Sequence, residues 1–198
     1  MIRLTKSRNV FAQLALWASC ALLFVLFFSS TTSVESNISQ NMLDYVYLYE
    51  HISKVNNISP HKATFLANII LNTSKRLLGQ DYRVGVCVVQ TESHFRINAI
   101  GDDGVSRGLS QIKLSAAKDA CKYLGLPNCS QRHLKYLISV PRYNILLGMA
   151  YLSFLLHTYK DMDKAIQAYN LGMGRINSGL PNYDYLYKVK SCLAKQTT

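Results

Sequence analysis

Between Val10 and Phe28 the chain runs for nineteen residues without a charged side chain, and ten of them are Leu14, Leu16, Trp17, Leu22, Leu23, Phe24, Val25, Leu26, Phe27 and Phe28. A run of this length can cross the hydrocarbon core of a bilayer as a helix. It exceeds the roughly 7 to 15 apolar residues of an ordinary signal-peptide core, so a retained anchor over residues 1–28 is favoured over a cleaved signal. A cleavage site within Ser29 to Ser33, or a buried core helix, are the competing readings. Arg3, Lys6 and Arg8 precede the run, and cations on that side leave the N-terminus in the cytoplasm and everything after Ser29 outside it. The expected location is the inner membrane, single-pass, with the remainder of the chain in the periplasm, or the periplasm alone if the segment is cleaved.

The 198 residues suffice for one compact domain of roughly 150 residues plus that appendage, and are too few for two ordinary domains. The formal net charge is +11; taking away the three cations of residues 1–28, which hold no acid, leaves +8 on the exported part. A basic exported domain points to an external polyanion. No nucleic-acid partner is expected, because the cations are scattered rather than striped with aromatic residues. Cys20 lies in the apolar run, whereas Cys87, Cys121, Cys129 and Cys192 lie in the part that meets an oxidising compartment. Four cysteines allow three pairings. The short separation of Cys121 from Cys129 suits a local staple, which leaves Cys87 with Cys192; four free buried thiols are the alternative.

Residues 29–41 are rich in Ser, Thr and Asn and suit a polar tether, so the domain is expected over 42–198. Leu43, Val46, Tyr47 and His51 recur at helical spacing. Ser59 and Pro60 open a second helical run that lasts to Leu78, where Gly79 stops it. Residues 115–124, 142–159, 163–171 and 183–194 show apolar periods near 3.6, separated by Gly, Pro or Asn. Residues 84–89, Val-Gly-Val-Cys-Val-Val, are dense in β-branched side chains, and local propensity alone predicts a buried strand there. Gly101, Asp102, Asp103, Gly104 and Gly108 mark a turn-rich stretch able to carry a small hairpin. The expectation is a mainly helical domain with one small β-hairpin region.

Glu92 ends an apolar run and is followed by Ser93, His94 and Phe95. A carboxyl at the edge of an apolar element has its pKa raised by desolvation, and a helix C-terminus pushes the same way. An acid still protonated near neutral pH can donate to a leaving oxygen, which is what the acid in glycoside cleavage does. The plain alternative is a solvated boundary residue. Its neighbours decide between the two: Gln90-Thr91-Glu92-Ser93-His94-Phe95, then Gly108-Leu109-Ser110-Gln111-Ile112, then Asn144-Ile145 with Gly148 and Tyr151-Leu152, then Ala168-Tyr169-Asn170-Leu171-Gly172. In residues and spacing these resemble the Glu-Ser-x-Phe, Gly-Leu-Met-Gln-Ile, Asn-Ile-x-x-Gly-x-x-Tyr-Leu and Ala-Tyr-Asn-x-Gly motifs of the soluble lytic murein transglycosylase (SLT) family, over about residues 80–190.

The resemblance implies a mainly α, lysozyme-like α+β fold in which residues 83–93 form a helix rather than a strand, with Glu92 at its end. It also implies cleavage of the β-1,4 bond between N-acetylmuramic acid and N-acetylglucosamine in peptidoglycan glycan strands, with a 1,6-anhydro product. Glu92 would act first as acid and then as base. Ser93, Ser110, Gln111 and Tyr169 match substrate-groove positions. The plain readings of Ser93, Gln111 and Tyr169 are a helix-end cap, a turn hydrogen bond and a core aromatic. Asn144 is expected to buttress the backbone. Two departures stand out: Ser110 replaces the usual Met, with loss of an apolar contact for the sugar, and Pro181-Asn182 replace the usual Glu-Thr before Tyr185-Leu186-Tyr187-Lys188-Val189.

A two-carboxylate glycosidase needs a second acid. Asp102 and Asp103 are the nearby ones, and either would make the chain an inverting peptidoglycan hydrolase resembling goose-type lysozymes, although acids in a Gly-Asp-Asp-Gly turn ordinarily serve capping and solvation. A non-catalytic, membrane-tethered wall-binding or assembly module is the reading from another class. His51, His61, His94, His133 and His157 lack metal-ligand spacing, so no metal and no cofactor is expected. Besides the wall and the membrane, a secretion or conjugation apparatus, or one that admits phage DNA, is a partner that would use such a cut.

Overall fold

The computed structural model describes residues 40–55 and 58–196. The anchor expected at 1–28 and most of the tether expected at 29–41 lie outside the described residues. Among the described residues no helix is long and apolar enough to cross a membrane. The first helix, α1, covers residues 40–55, so the last two residues of the expected tether are helical; Gln40 Nε2 donates to Asp44 Oδ1 at 3.0 Å one turn on. From Tyr47 onward the chain forms one unit, which carries everything that follows.

Helix α2, Pro60–Leu78, begins where the turn chemistry directs: Ser59 Oγ accepts from the Lys62 amide at 3.4 Å and Pro60 fills the first helical position. Gly79, at φ +57°, ends it. A 3-10 turn over Gly79–Asp81 leads into α3, Tyr82–Ser93. The β-branched run 84–89 is therefore helical, against local propensity. Val84, Gly85, Val86, Cys87, Val88 and Val89 are all buried, so the helix is apolar nearly all round and is enclosed by α2 and by the last helix. Gly85 permits the close approach: a Cβ there would lie 2.6 Å from both Leu78 Cδ1 and Met149 Sδ.

Next comes a hairpin, β1 Ile100–Gly101 and β2 Ser106–Arg107, antiparallel with Ile100 opposite Arg107 and Gly101 opposite Ser106. Its turn holds Asp102, Asp103 and Gly104 at φ +48°, +53° and +89°. The remaining helices are α4 Leu114–Tyr123, α5 Gln131–Ser139, α6 Pro141–Tyr159, α7 Met162–Leu171, α8 Met173–Asn177 and α9 Tyr183–Lys195. Helix α5, for which the sequence pattern gave no expectation, is short and buries only Leu134, Leu137 and Ile138. Helix α6 is the central strut. It packs against α2, α4, α5 and α7, and buries Ile145, Leu147, Gly148, Met149, Ala150, Leu152 and Leu155.

Two disulfides clamp the unit. Cys87–Cys192 ties α3 to α9 across 105 residues of sequence, and Cys121–Cys129 closes the connection between α4 and α5 across 8. The fold is mainly helical, with the hairpin as its small β element.

Candidate active site

Glu92 lies on the last turn of α3. The helix stops abruptly after it because His94 and Phe95 both take left-handed backbone angles, φ +49° and +60°. His94 N still donates to Gln90 O at 2.8 Å, which closes the final turn as a left-handed cap does. Phe95 is then driven inward, 1% exposed, and its ring meets the His51 ring edge-on at 5.9 Å. This sharp exit presents Glu92 to a cleft of about 390 Å³ whose other walls include Asp102, Gln111, Lys113, Tyr151, Tyr169 and Asn170.

Inside that cleft the Glu92 carboxyl is pushed up to about 7, chiefly because burial disfavours its charged form. A hydrogen bond from Tyr185 pulls it back, the charge of Asp102 raises it further and that of Lys113 lowers it. Tyr185 Oη donates to Glu92 Oε1 at 2.6 Å, the short distance expected when the acceptor carries charge. Tyr185 is itself held well above the ordinary phenol range by burial and by the Glu92 charge, so it stays a neutral donor. It stands in the first turn of α9, placed by Asn182, whose side chain accepts from Tyr185 N at 3.0 Å. Asn182 also receives its position from α7: its amide donates to Gln167 Oε1 at 2.8 Å and its Nδ2 to Asn170 Oδ1 at 2.9 Å.

Of the residues singled out in the sequence, Gln111 and Tyr169 reach the cleft beside Glu92. Gln111, at φ +44°, is fastened at both ends of its amide. Its Nε2 donates to Ala99 O at 3.0 Å and Gly108 O at 2.8 Å, and its Oε1 accepts from Ser106 Oγ at 3.2 Å. Tyr169 is buried and donates to Ser110 O at 2.8 Å. Burial, then the Glu92 charge, keep its phenol well above the ordinary range.

Ser93 and Ser110 are not brought to the cleft, which corrects their expected contact with substrate. Both are fully buried. Ser93 Oγ donates back to Val89 O at 3.1 Å within its own helix. Ser110 bonds to Asn144 through both its groups: its amide donates to Asn144 Oδ1 at 2.9 Å, and its hydroxyl reaches the Asn144 carbonyl at 2.9 Å and Oδ1 at 2.8 Å. The serine that stands where Met is usual thus makes an inward contact with α6. Asn144 completes a buttress by donating to Arg107 O and Ile138 O at 2.9 and 3.0 Å. Two glycines make room for it: a Cβ on Gly108 would sit 2.4 Å from Asn144 Nδ2, and one on Gly148 2.4 Å from Ser110 Cβ.

Asp102 lines the cleft while remaining solvated and bonded within its own hairpin. Its carboxylate takes Lys113 Nζ at 2.9 Å and Ser106 Oγ at 3.2 Å, and the Lys113 hydrogen bond holds it below the ordinary carboxylate range. Asp103 does not line the cleft. Tyr185, Lys113 and Tyr151 are the site residues that sequence reasoning missed. Tyr185 carried one signal: an Asn three residues before it at the start of a helical run, a cap that fixes the first turn. Among the described residues no group of three or more His, Cys, Asp or Glu could hold a metal.

Comparison with known proteins gives the family of the chain. The family described as the transglycosylase SLT domain matches residues 72–184, more than half of the chain, a span that holds every residue lining the cleft. No curated protein matches the sequence. Among solved structures, the chain is similar to the lytic transglycosylase Slt of Pseudomonas aeruginosa, solved as an inactive mutant, with a TM-score of 0.47 and 23% identity. That match covers 77% of this chain and 25% of the other, so this chain spans about a quarter of that protein's length.

Proposed function

The chain belongs to the transglycosylase SLT domain family, and from that premise we propose that it is a lytic transglycosylase of peptidoglycan with Glu92 as its single acid and base. The observation that carries this reading is the state of Glu92: a carboxyl half out of water in a cleft, raised to about 7 and held by Tyr185. Near neutral pH a substantial fraction of it keeps a proton, which is what an acid for glycosidic oxygen requires. Tyr185 occupies Oε1, which leaves Oε2 to carry the proton. Glu92 gives that proton to the oxygen leaving with N-acetylglucosamine as the bond to C1 of N-acetylmuramic acid breaks. The carboxylate so formed takes the proton of the muramic C6 hydroxyl, whose oxygen bonds to C1. The product is a 1,6-anhydro sugar, and Glu92 ends protonated as it began. Gln111 and Tyr169 stiffen the cleft around the reacting sugar. The N-terminal run of residues 10–28 would hold this domain at the outer face of the inner membrane, within reach of the wall.

A second reading rests on Asp102. It shares the cleft with Glu92 and stays ionised, so in an inverting hydrolase it would orient a water on the far face of the sugar. Mass analysis of the products from peptidoglycan separates the two readings, since an anhydro end and a reducing end differ by one water. Anhydro products are expected; reducing ends would overturn the transglycosylase in favour of the hydrolase. A chain that binds wall material and releases no product would overturn both.

A further inference from the structure

A second groove, of about 480 Å³, opens between α2 and α6. Asn68, Asn72 and Arg76 follow one another at four-residue spacing, so they stand in one row along α2. Arg142 and Tyr143, in the first turn of α6, line the same groove, and Ile69 and Leu146 are its apolar lining. No acidic side chain lines it. Among the described residues, the side chains of Asn68, Asn72, Arg76, Arg142 and Tyr143 make no hydrogen bond or ion pair within the protein.

This arrangement is unfavourable for the protein alone. Arg142 sits at the positive end of the α6 dipole, where the first turn holds no acid and no side chain caps the helix, and a cation there is repelled. Arg76 adds a second unpaired guanidinium to the groove. An external anion relieves the repulsion at Arg142 and pairs Arg76, which stands in the last turn of α2 where the dipole tolerates a cation, and guanidinium groups suit the flat fork of a carboxylate. The remaining side chains narrow the ligand further. Two free amides, each both donor and acceptor, match vicinal sugar hydroxyls. Tyr143 is 37% exposed and offers a ring face on which a pyranose can stack.

The groove is not a continuation of the cleft. Tyr151 of α6 faces the cleft; at about 100° per residue it lies roughly opposite Arg142 around the helix. A polymer segment in the groove is therefore not the segment presented to Glu92.

We propose that the α2–α6 groove is a non-catalytic binding site for a carboxylate-bearing glycan, in which Arg76 and Arg142 take carboxylates, Asn68 and Asn72 take hydroxyls, and Tyr143 stacks on a ring. This rests on reading peptidoglycan as the polymer on which the chain acts. The groove holds the chain to the insoluble wall between cuts.

The test uses the full chain carrying Glu92→Gln, so that purified sacculi are retained uncut, and measures co-sedimentation at physiological salt. Arg76→Ala with Arg142→Ala should weaken retention about tenfold or more, the effect of losing charge-assisted hydrogen bonds, and Tyr143→Ala should weaken it less. With Glu92 present, the double variant should digest sacculi more slowly while cutting a short soluble glycan at the parent rate, which also shows that it folds. Unchanged retention would overturn the proposal. So would Lys at both positions restoring binding fully with Tyr143→Ala silent, the mark of a bare electrostatic patch. Loss of binding to phosphatidylglycerol vesicles without loss on sacculi would reassign the groove to a lipid surface. If the Glu92 chain cuts no substrate at all, the transglycosylase reading fails while sedimentation still reports on the groove.

Discussion

The end of α3 and the hairpin Ile100–Arg107 each bring a carboxylate into the same cleft, and they prepare it in opposite ways. Glu92 comes from a helix enclosed on nearly every side, so its carboxyl is largely withdrawn from water beside the Tyr185 phenol, and its proton is held to about pH 7. Asp102 comes from a turn at the surface, where Lys113 and Ser106 supply a cation and a hydroxyl, and its proton is released early. Two acids ten residues apart thus differ in role because they differ in burial and partner. The enclosed element can supply a proton and the exposed one cannot.

The largest effect should come from erasing the titrating group on the enclosed side. Glu92→Gln keeps the shape and should cost about a hundredfold or more in wall-cleaving rate, with the fold intact by circular dichroism. It should also flatten a pH dependence of stability. The Glu92 carboxyl binds its proton more tightly in the native state, about 7 against an ordinary 4.5. The favourable contribution is therefore fully present below about pH 4.5 and is lost as pH rises through 7. By linkage this amounts to about 3 kcal/mol, so melting measured at pH 5 and pH 8 should differ less in the variant than in the parent.

Next in size is the clamp that keeps the Tyr185 helix against the Glu92 helix. Opening Cys87–Cys192 frees a loop of 105 residues and should cost about 3 to 5 kcal/mol on the chain-entropy scale. Opening Cys121–Cys129 should cost about 2 to 3 kcal/mol. Separate Cys-to-Ser pairs, followed by thermal melting, test the ranking; a larger loss from the short loop would break the link between clamp and site.

A smaller and more specific effect attaches to the phenol. Tyr185→Phe removes the hydrogen bond that lowers the Glu92 pKa, so the alkaline limb of the rate profile should move to higher pH, while the rate falls about tenfold through lost orientation. The smallest effect should come from the exposed side. Asp102→Asn removes a charge that raises the Glu92 pKa, so the same limb should move slightly to lower pH, with the rate within about threefold of the parent because the charge is exposed and screened. The two variants shift the profile in opposite directions, and that opposition is the sharpest check on the comparison. A loss with Asp102→Asn as deep as that with Glu92→Gln would shift the chemistry to the two-carboxylate reading.

Much of this was legible in the one-dimensional pattern. Helices α2, α4, α6, α7 and α9 follow apolar periods near 3.6, and the first four end where Gly or Asp interrupts them within two residues, because capping and turn angles are decided locally. The hairpin follows from its Gly-Asp-Asp-Gly turn. Glu92 is legible as a carboxyl at an apolar edge, and Gln111 and Tyr169 through the motifs they sit in. Those features depend on near neighbours alone, and a sequence states near neighbours outright.

The tertiary structure decided the rest, because burial and partners come from residues far away in the chain. Residues 84–89 are helical since α2 and α9 pack against them and all six are buried, and the energy of burying four valines outweighs their β preference. Tyr185 reaches Glu92 from 93 residues downstream, a pairing that no local spacing encodes. Ser93 and Ser110 lie in motif positions yet turn inward, because Val89 and Asn144 offer hydrogen bonds on the core side. Asp102 lines the cleft from its turn, its carboxylate held both by Ser106 of the same hairpin and by Lys113 at the start of α4. The residue types were written in the chain; which of them can hold a proton at neutral pH was settled only when packing removed water from one carboxyl and left it around the other.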